Sequence, residues 1–202
     1  GVHLAGPGRR ERRRRPGPGS LLARTAKGKS LPEGFAELNR MAEEGAVLEA
    51  HKLLLNIERQ SQVPPRLKRM LYNTAIKACE RAGACEAADL YYQAMCRAGI
   101  QPSTRTFGKL FHCAARAGRP EMGERWLEAM ISLDLVPDAL HYDALSKAAA
   151  RAGDLEAAKM WLERIWAMGK RPMASSISSM VEASLRAGDT KAAEYWFEHA
   201  ME

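Results

Sequence analysis

The sequence predicts an all-α fold, an α-α superhelix built from stacked two-helix repeats. Three observations carry this. The triplet Arg-Ala-Gly occurs at 81–83, 116–118, 151–153 and 186–188, each copy 35 residues after the last. Proline is the penultimate residue of each complete unit, at Pro102, Pro137 and Pro172. Large side chains recur in phase: Tyr72, Phe107, Tyr142 and Ile177 at the fourth place, and Tyr91, Trp126, Trp161 and Trp196 at the twenty-third. Self-similarity at a period of 20–50 residues marks an array whose units share one continuous core.

The units align without gaps as 69–103, 104–138, 139–173 and 174–202, the last cut off in its second half. In the second unit, helix A is predicted from about Thr104 to Arg116, because Phe107, Leu110, Phe111 and Ala114 return at helical spacing. Gly118 ends it, and helix B follows from about Glu121 to Leu133 with Trp126, Leu127 and Met130 inward. Pro137 stops helix B. Asp154 and Asp189, just after the glycine in the third and fourth units, are placed to cap their B helices. No segment alternates as a strand would. Stacking should coil the units into a right-handed superhelix with helix A on the concave side.

A weaker copy at 31–65 keeps Gly45, Ala50 and Pro64 in phase but has Glu43 where the other units have arginine. It reads as a degenerate first repeat or cap, so the array spans 31–202. Ahead of it, residues 1–30 hold nine lysines and arginines against Glu11 alone, between Gly/Pro-rich runs, and read as a disordered leader. Its composition is that of an organelle transit sequence and equally that of a solvated basic linker; nonspecific help in holding RNA is a third reading.

The net charge of +7 belongs to that leader, since the remainder has 22 basic and 23 acidic residues. Basicity of the array must therefore be sought in its pattern. The spacing of Cys79, Cys85, Cys96 and Cys113 fits no paired zinc motif and suits small buried hydrophobes in a reducing compartment. No apolar stretch is long enough to span a bilayer. His112 beside Cys113 has no accompanying acid or third ligand at useful spacing, and His141 and His199 are isolated, so no metal, cofactor or catalytic residue is expected. The recurring Glu128, Glu163 and Glu198 fit a solvated outer face.

The series Tyr72-Asn73-Thr74-Ala75-Ile76, Arg81-Ala82-Gly83, Glu86-Ala87-Ala88, Met95, Gly99-Ile100 and Pro102, repeated through Arg116-Ala117-Gly118, Met130 and Val136-Pro137-Asp138, resembles the pentatricopeptide repeat family. The resemblance covers 69–202 strongly and 31–65 weakly. It implies single-stranded RNA in the concave groove, nominally one base per repeat. In such repeats the fifth and last residues contact the base edge, the second packs on the base, and the thirteenth, usually lysine, lies near the phosphates.

Carried onto this chain, the thirteenth residues are Arg81, Arg116, Arg151 and Arg186. One turn earlier lie Lys77, His112 and Lys147, then Glu182, which breaks the run. Lys77 and Lys147 thus join the four arginines as phosphate-binding candidates. Four phosphate contacts would give a salt slope of about −3, at roughly 0.7 per phosphate for a single strand. The base-reading candidates are Asn73 with Ser103, a pair that the resemblance links to pyrimidine with cytosine preferred, then Asp138 opposite the bare Gly108, and Asp143 opposite Met173. Ser178 stands alone in the fourth unit. The packing positions are Met70, Arg105, Leu140 and Ser175.

The expected function is an organelle single-stranded RNA-binding adaptor, mitochondrial or chloroplast, acting in RNA processing, stability or translation, with no catalysis and no small-molecule substrate. The competing expectation is a protein-binding scaffold, or a structural subunit of a ribonucleoprotein such as a ribosome. The net charge of the array and the poorly matched reading pairs favour the latter. The chain starts without Met and stops within a helix at Glu202, which leaves an enzymatic domain outside this segment open.

Overall fold

A computed structural model describes residues 33–60 and 63–199; the leader at 1–30, with its readings, lies outside them. The described residues form ten helices and no strand. They are α1 (Phe35–Glu44), α2 (Val47–Gln60), α3 (Pro65–Ala82), α4 (Cys85–Arg97), α5 (Thr104–Ala117), α6 (Pro120–Ser132), α7 (Ala139–Ala152), α8 (Leu155–Ala167), α9 (Ala174–Arg186) and α10 (Thr190–His199). Odd-numbered helices stack on one another, as α1 on α3, α3 on α5, α5 on α7 and α7 on α9. Each even-numbered helix packs on its own hairpin partner, and α2, α4, α6 and α8 also meet the next odd helix.

Local chemistry sets the helix ends. Gly118 takes φ +65 and closes α5, with the backbone N–H turned back to the Ala114 carbonyl. Asp154 Oδ1 accepts from Ala157 N at 2.9 Å and Asp189 Oδ1 from Ala192 N at 2.9 Å, so both aspartates cap their B helices. Ser103 N donates to Thr106 Oγ1 at 3.0 Å at the start of α5. Asp138 caps α7, its Oδ1 accepting from Leu140 N and His141 N.

The in-phase large residues make the shared core. Tyr72, Phe107, Tyr142 and Ile177 are all buried, as are Tyr91, Trp126 and Trp196, while Trp161 is half-buried. Trp126 Nε1 also donates to Asp89 Oδ1 at 2.9 Å, tying α6 to α4. Truncating a buried tryptophan of this kind removes about 3–5 kcal/mol. Cys79, Cys85 and Cys113 are buried and Cys96 is exposed, so the expectation of a buried thiol fails for Cys96, which sits in the last turn of α4. No described helix is long and apolar enough to cross a membrane.

Candidate nucleic-acid interface

The A helices end on one side of the stack, and their last turns carry the arginines. Arg81, Arg116, Arg151 and Arg186 each lie in the final turn of α3, α5, α7 and α9, where a cation also suits the helix C-terminus. A groove of about 550 Å³ crosses all four helices, lined among others by Glu80, Arg116, Lys147, Arg151, Glu182 and Arg186. Its four cations outnumber its two carboxylates, Glu80 and Glu182. His112 is also in the groove wall, and desolvation pushes its imidazole below the ordinary value, with Glu80 opposing. The side chain is therefore neutral at neutral pH.

The six cationic candidates have different partners. Lys77 and Arg81 are both paired with Glu43 of α1, Arg81 Nη2 at 3.1 Å from Oε2 and Lys77 Nζ in contact with Oε1. Lys147 Nζ donates to Ser175 Oγ at 2.7 Å. Arg151 Nη1 donates to the Arg116 carbonyl at 2.8 Å and Arg186 Nη2 to the Ala150 carbonyl at 3.0 Å. Arg116 is exposed, and its guanidinium has no ion-pair partner among the described residues. Neutral partners orient a guanidinium without cancelling its charge, so the groove keeps its excess from α5 onward.

The base-reading candidates separate more sharply. Asn73 is half-buried on α3, and its Oδ1 is itself buried and without a hydrogen-bond partner. Ser103 Oγ lies 3.2 Å from Thr106 Oγ1 at the α5 cap. Asp138 is engaged in the α7 cap but keeps 45% of its side chain exposed, beside a second hollow of about 340 Å³ lined by Arg105, Gly108, Lys109, His112 and Leu140. Burial lowers the Lys109 ammonium, with Glu80 at 3.8 Å opposing the shift.

The expectation that Asp143 faces a base is not met. Its side chain is buried, and Oδ1 accepts from Met173 N at 3.0 Å and from Ser176 Oγ at 2.6 Å. Met173 occupies the cap position of α9 and has no side-chain acceptor, so Asp143 supplies one from the neighbouring helix. The unmatched pair Asp143 and Met173 is thus an inter-repeat cap. Of the packing candidates, Arg105 and Leu140 are exposed along the second hollow, Met70 is half-buried, and Ser175 is held by Lys147.

Sequence reasoning missed a third hollow, on the B-helix side. It measures about 470 Å³ between α2 and α4, is lined by Leu48, Leu54, Leu55, Leu90 and Tyr91 among others, and exposes Leu48 and Leu90 by 60% and 62%. Leu48, Leu55 and Leu90 break the amphipathic pattern of their helices, which was the available signal. No group of three or more His, Cys, Asp or Glu among the described residues could hold a metal ion.

The family model for the PPR repeat matches residues 70–100 and 105–135. No curated protein matches the chain in sequence. Among solved structures, the pentatricopeptide repeat protein PPR10 from maize is 25% identical with a TM-score of 0.65, over 80% of this chain and 23% of that one. PPR10 in complex with an 18-nucleotide psaJ RNA element is 18% identical with a TM-score of 0.67, over 82% of this chain and 24% of that one. The PPR domain of Arabidopsis thaliana protein-only RNase P 1, in complex with tRNA, is 18% identical with a TM-score of 0.62, over 82% of this chain and 86% of that domain. The chain thus spans about a quarter of the length of PPR10. Repeat matches at two consecutive units, the 35-residue period and the stacked helix pairs agree, and the chain carries pentatricopeptide repeats.

Proposed function

We propose that this chain is a single-stranded RNA-binding adaptor that holds a short segment across α3, α5, α7 and α9. The observation that carries the reading is the continuous groove in which Arg116, Lys147, Arg151 and Arg186 converge. Guanidinium and ammonium groups on one stripe at repeat spacing match the regular charge of a nucleic-acid backbone. The RNA-bound structures of PPR10 and of the RNase P domain support it. Asn73 and Ser103, the fifth and last residues of the first complete unit, supply a modest pyrimidine preference. Masking or unfolding RNA in this way serves processing, stability or translation. The family resemblance and the Arg-rich, acid-poor residues 1–30 favour a mitochondrial or chloroplast setting. The chain's own role is binding, without catalysis.

The test is fluorescence anisotropy of the full chain on short single-stranded RNAs across a salt series, against Arg116→Glu with Arg151→Glu. Loss of most affinity with a flatter salt slope and an unchanged helical spectrum supports the groove. Unchanged binding in the double variant overturns it. The second reading, a protein-binding scaffold, is favoured by the apolar hollow at Leu48, Leu55 and Leu90, and predicts a complex that is indifferent to salt.

A further inference from the structure

The cation stripe is not uniform along the stack. Its N-terminal end meets α1, whose last turn carries Glu43 at the place occupied by arginine in the four following repeats. Both Glu43 oxygens are engaged: Oε1 with Lys77 Nζ, and Oε2 with Arg81 Nη2 at 3.1 Å. Asn39 Oδ1, one turn earlier on α1, takes a further contact from Lys77 at 3.4 Å. The pairing holds the Glu43 carboxyl below the usual carboxylate range, chiefly through Lys77. Farther along, the partners change in kind. Lys147 rests on a hydroxyl, Arg151 and Arg186 on backbone carbonyls, and Arg116 on no acid.

We propose that Glu43 is a charge cap that closes the RNA track at its N-terminal end, so that phosphate engagement starts at α5 and Arg81 and Lys77 take little part. The inference rests on the RNA reading of the groove. A carboxylate at this place acts on a polyanion twice: it neutralises two cations, and it repels the next phosphate. Exposed ion pairs contribute little stability, so removing this one should leave the fold intact. Glu43 would thereby fix where on the array a strand begins, which a uniform stripe of arginines cannot do.

The experiment compares the full chain with Glu43→Gln, Arg81→Gln, Arg116→Gln and the double variant Glu43→Gln/Arg81→Gln, on one labelled mixed-sequence single-stranded RNA over a salt series. The leader contributes equally to all and cancels in the comparison. Glu43→Gln is expected to tighten binding at low salt by about threefold or more and to steepen the salt slope by about 0.7–1.4, one or two more phosphates. Arg81→Gln alone should change little but should cancel part of that gain in the double variant. Arg116→Gln should weaken binding and flatten the slope by about 0.7. If Arg116→Gln weakens binding and Glu43→Gln leaves it unchanged, or if Arg81→Gln weakens it as much as Arg116→Gln, the cap is overturned and the groove stands. If no groove variant moves affinity or slope, the groove reading falls and the cap with it. Circular dichroism melts of each variant verify that the fold is retained.

Discussion

Arg151 reaches back one full repeat to bond the backbone carbonyl of Arg116, with Nη1 2.8 Å from the oxygen. Its stem lies over the glycine that ends the same helix: a Cβ built on Gly118 would sit 3.0 Å from Arg151 Cγ. The same approach recurs at Gly45, 3.3 Å from Arg81 Cβ, and at Gly83, 3.5 Å from Arg116 Cγ. The Arg-Ala-Gly triplets at 81–83 and 116–118 are therefore joints. Glycine ends one helix in the left-handed conformation and leaves room for the arginine of the next.

Substituting that glycine separates the two demands. Gly118→Ala incurs the left-handed penalty of about 1–2 kcal/mol and also crowds Arg151. Gly153, at φ +89 with nothing within 4 Å, incurs the penalty alone. Urea denaturation is expected to rank Gly118→Ala as more destabilising than Gly153→Ala; equal midpoints would refute the joint.

Asp143 is expected to matter for stability and not for base choice. Asp143→Ala removes the acceptor of Met173 N and Ser176 Oγ and leaves buried groups unpaired, at a cost of about 2–3 kcal/mol. Its melting temperature should fall, while the ranking of affinities among homopolymer RNAs measured at low temperature stays that of the parent. A changed ranking would return Asp143 to the reading surface.

Gly123 lies within α6 against α7, and an added Cβ would come 2.6 Å from Leu145 Cδ2, a side chain that is 1% exposed. Gly123→Ala should destabilise by about 1–3 kcal/mol through overpacking. Leu145→Val in the same chain should recover part of this, giving a non-additive double-mutant cycle in thermal melts. Additive losses would mean that the two side chains do not meet.

His112 makes the fold and the groove respond to pH in opposite senses. Its folded value lies below 6.5, because desolvation outweighs the attraction of Glu80, with Lys147, His141 and Lys109 adding to the lowering. The unfolded imidazole takes up a proton near pH 6.5 and the folded one only lower, so its contribution to stability is complete above 6.5 and is lost as pH falls through it. His112→Gln should lessen the acid loss in urea midpoint between pH 7.5 and 5.5. RNA affinity should rise as the pH falls, when His112 adds a cation to the groove, and the variant should blunt that rise.

The period, the helix ends and the core were legible because each depends on residues within one repeat. Gly118, Asp154 and Asp189 act on their own helices, and Trp126 repeats a pattern that its own unit displays. What escaped were contacts between repeats. Asp143 turns inward because Met173, 30 residues on, leaves a helix uncapped. The pairing of Lys77 and Arg81 depends on Glu43, which in sequence only marks a departure from the pattern. The exposed leucines of α2 and α4 become one surface only when two hairpins are side by side.

Every extensive helix pairing described above lies within a hairpin or between successive hairpins. Such a stack behaves as a short spring. Its stiffness is set at each joint by a few contacts such as Arg151 on Gly118, and small tilts add from one joint to the next. The spacing between Arg116, Arg151 and Arg186 is therefore set joint by joint rather than by one rigid frame.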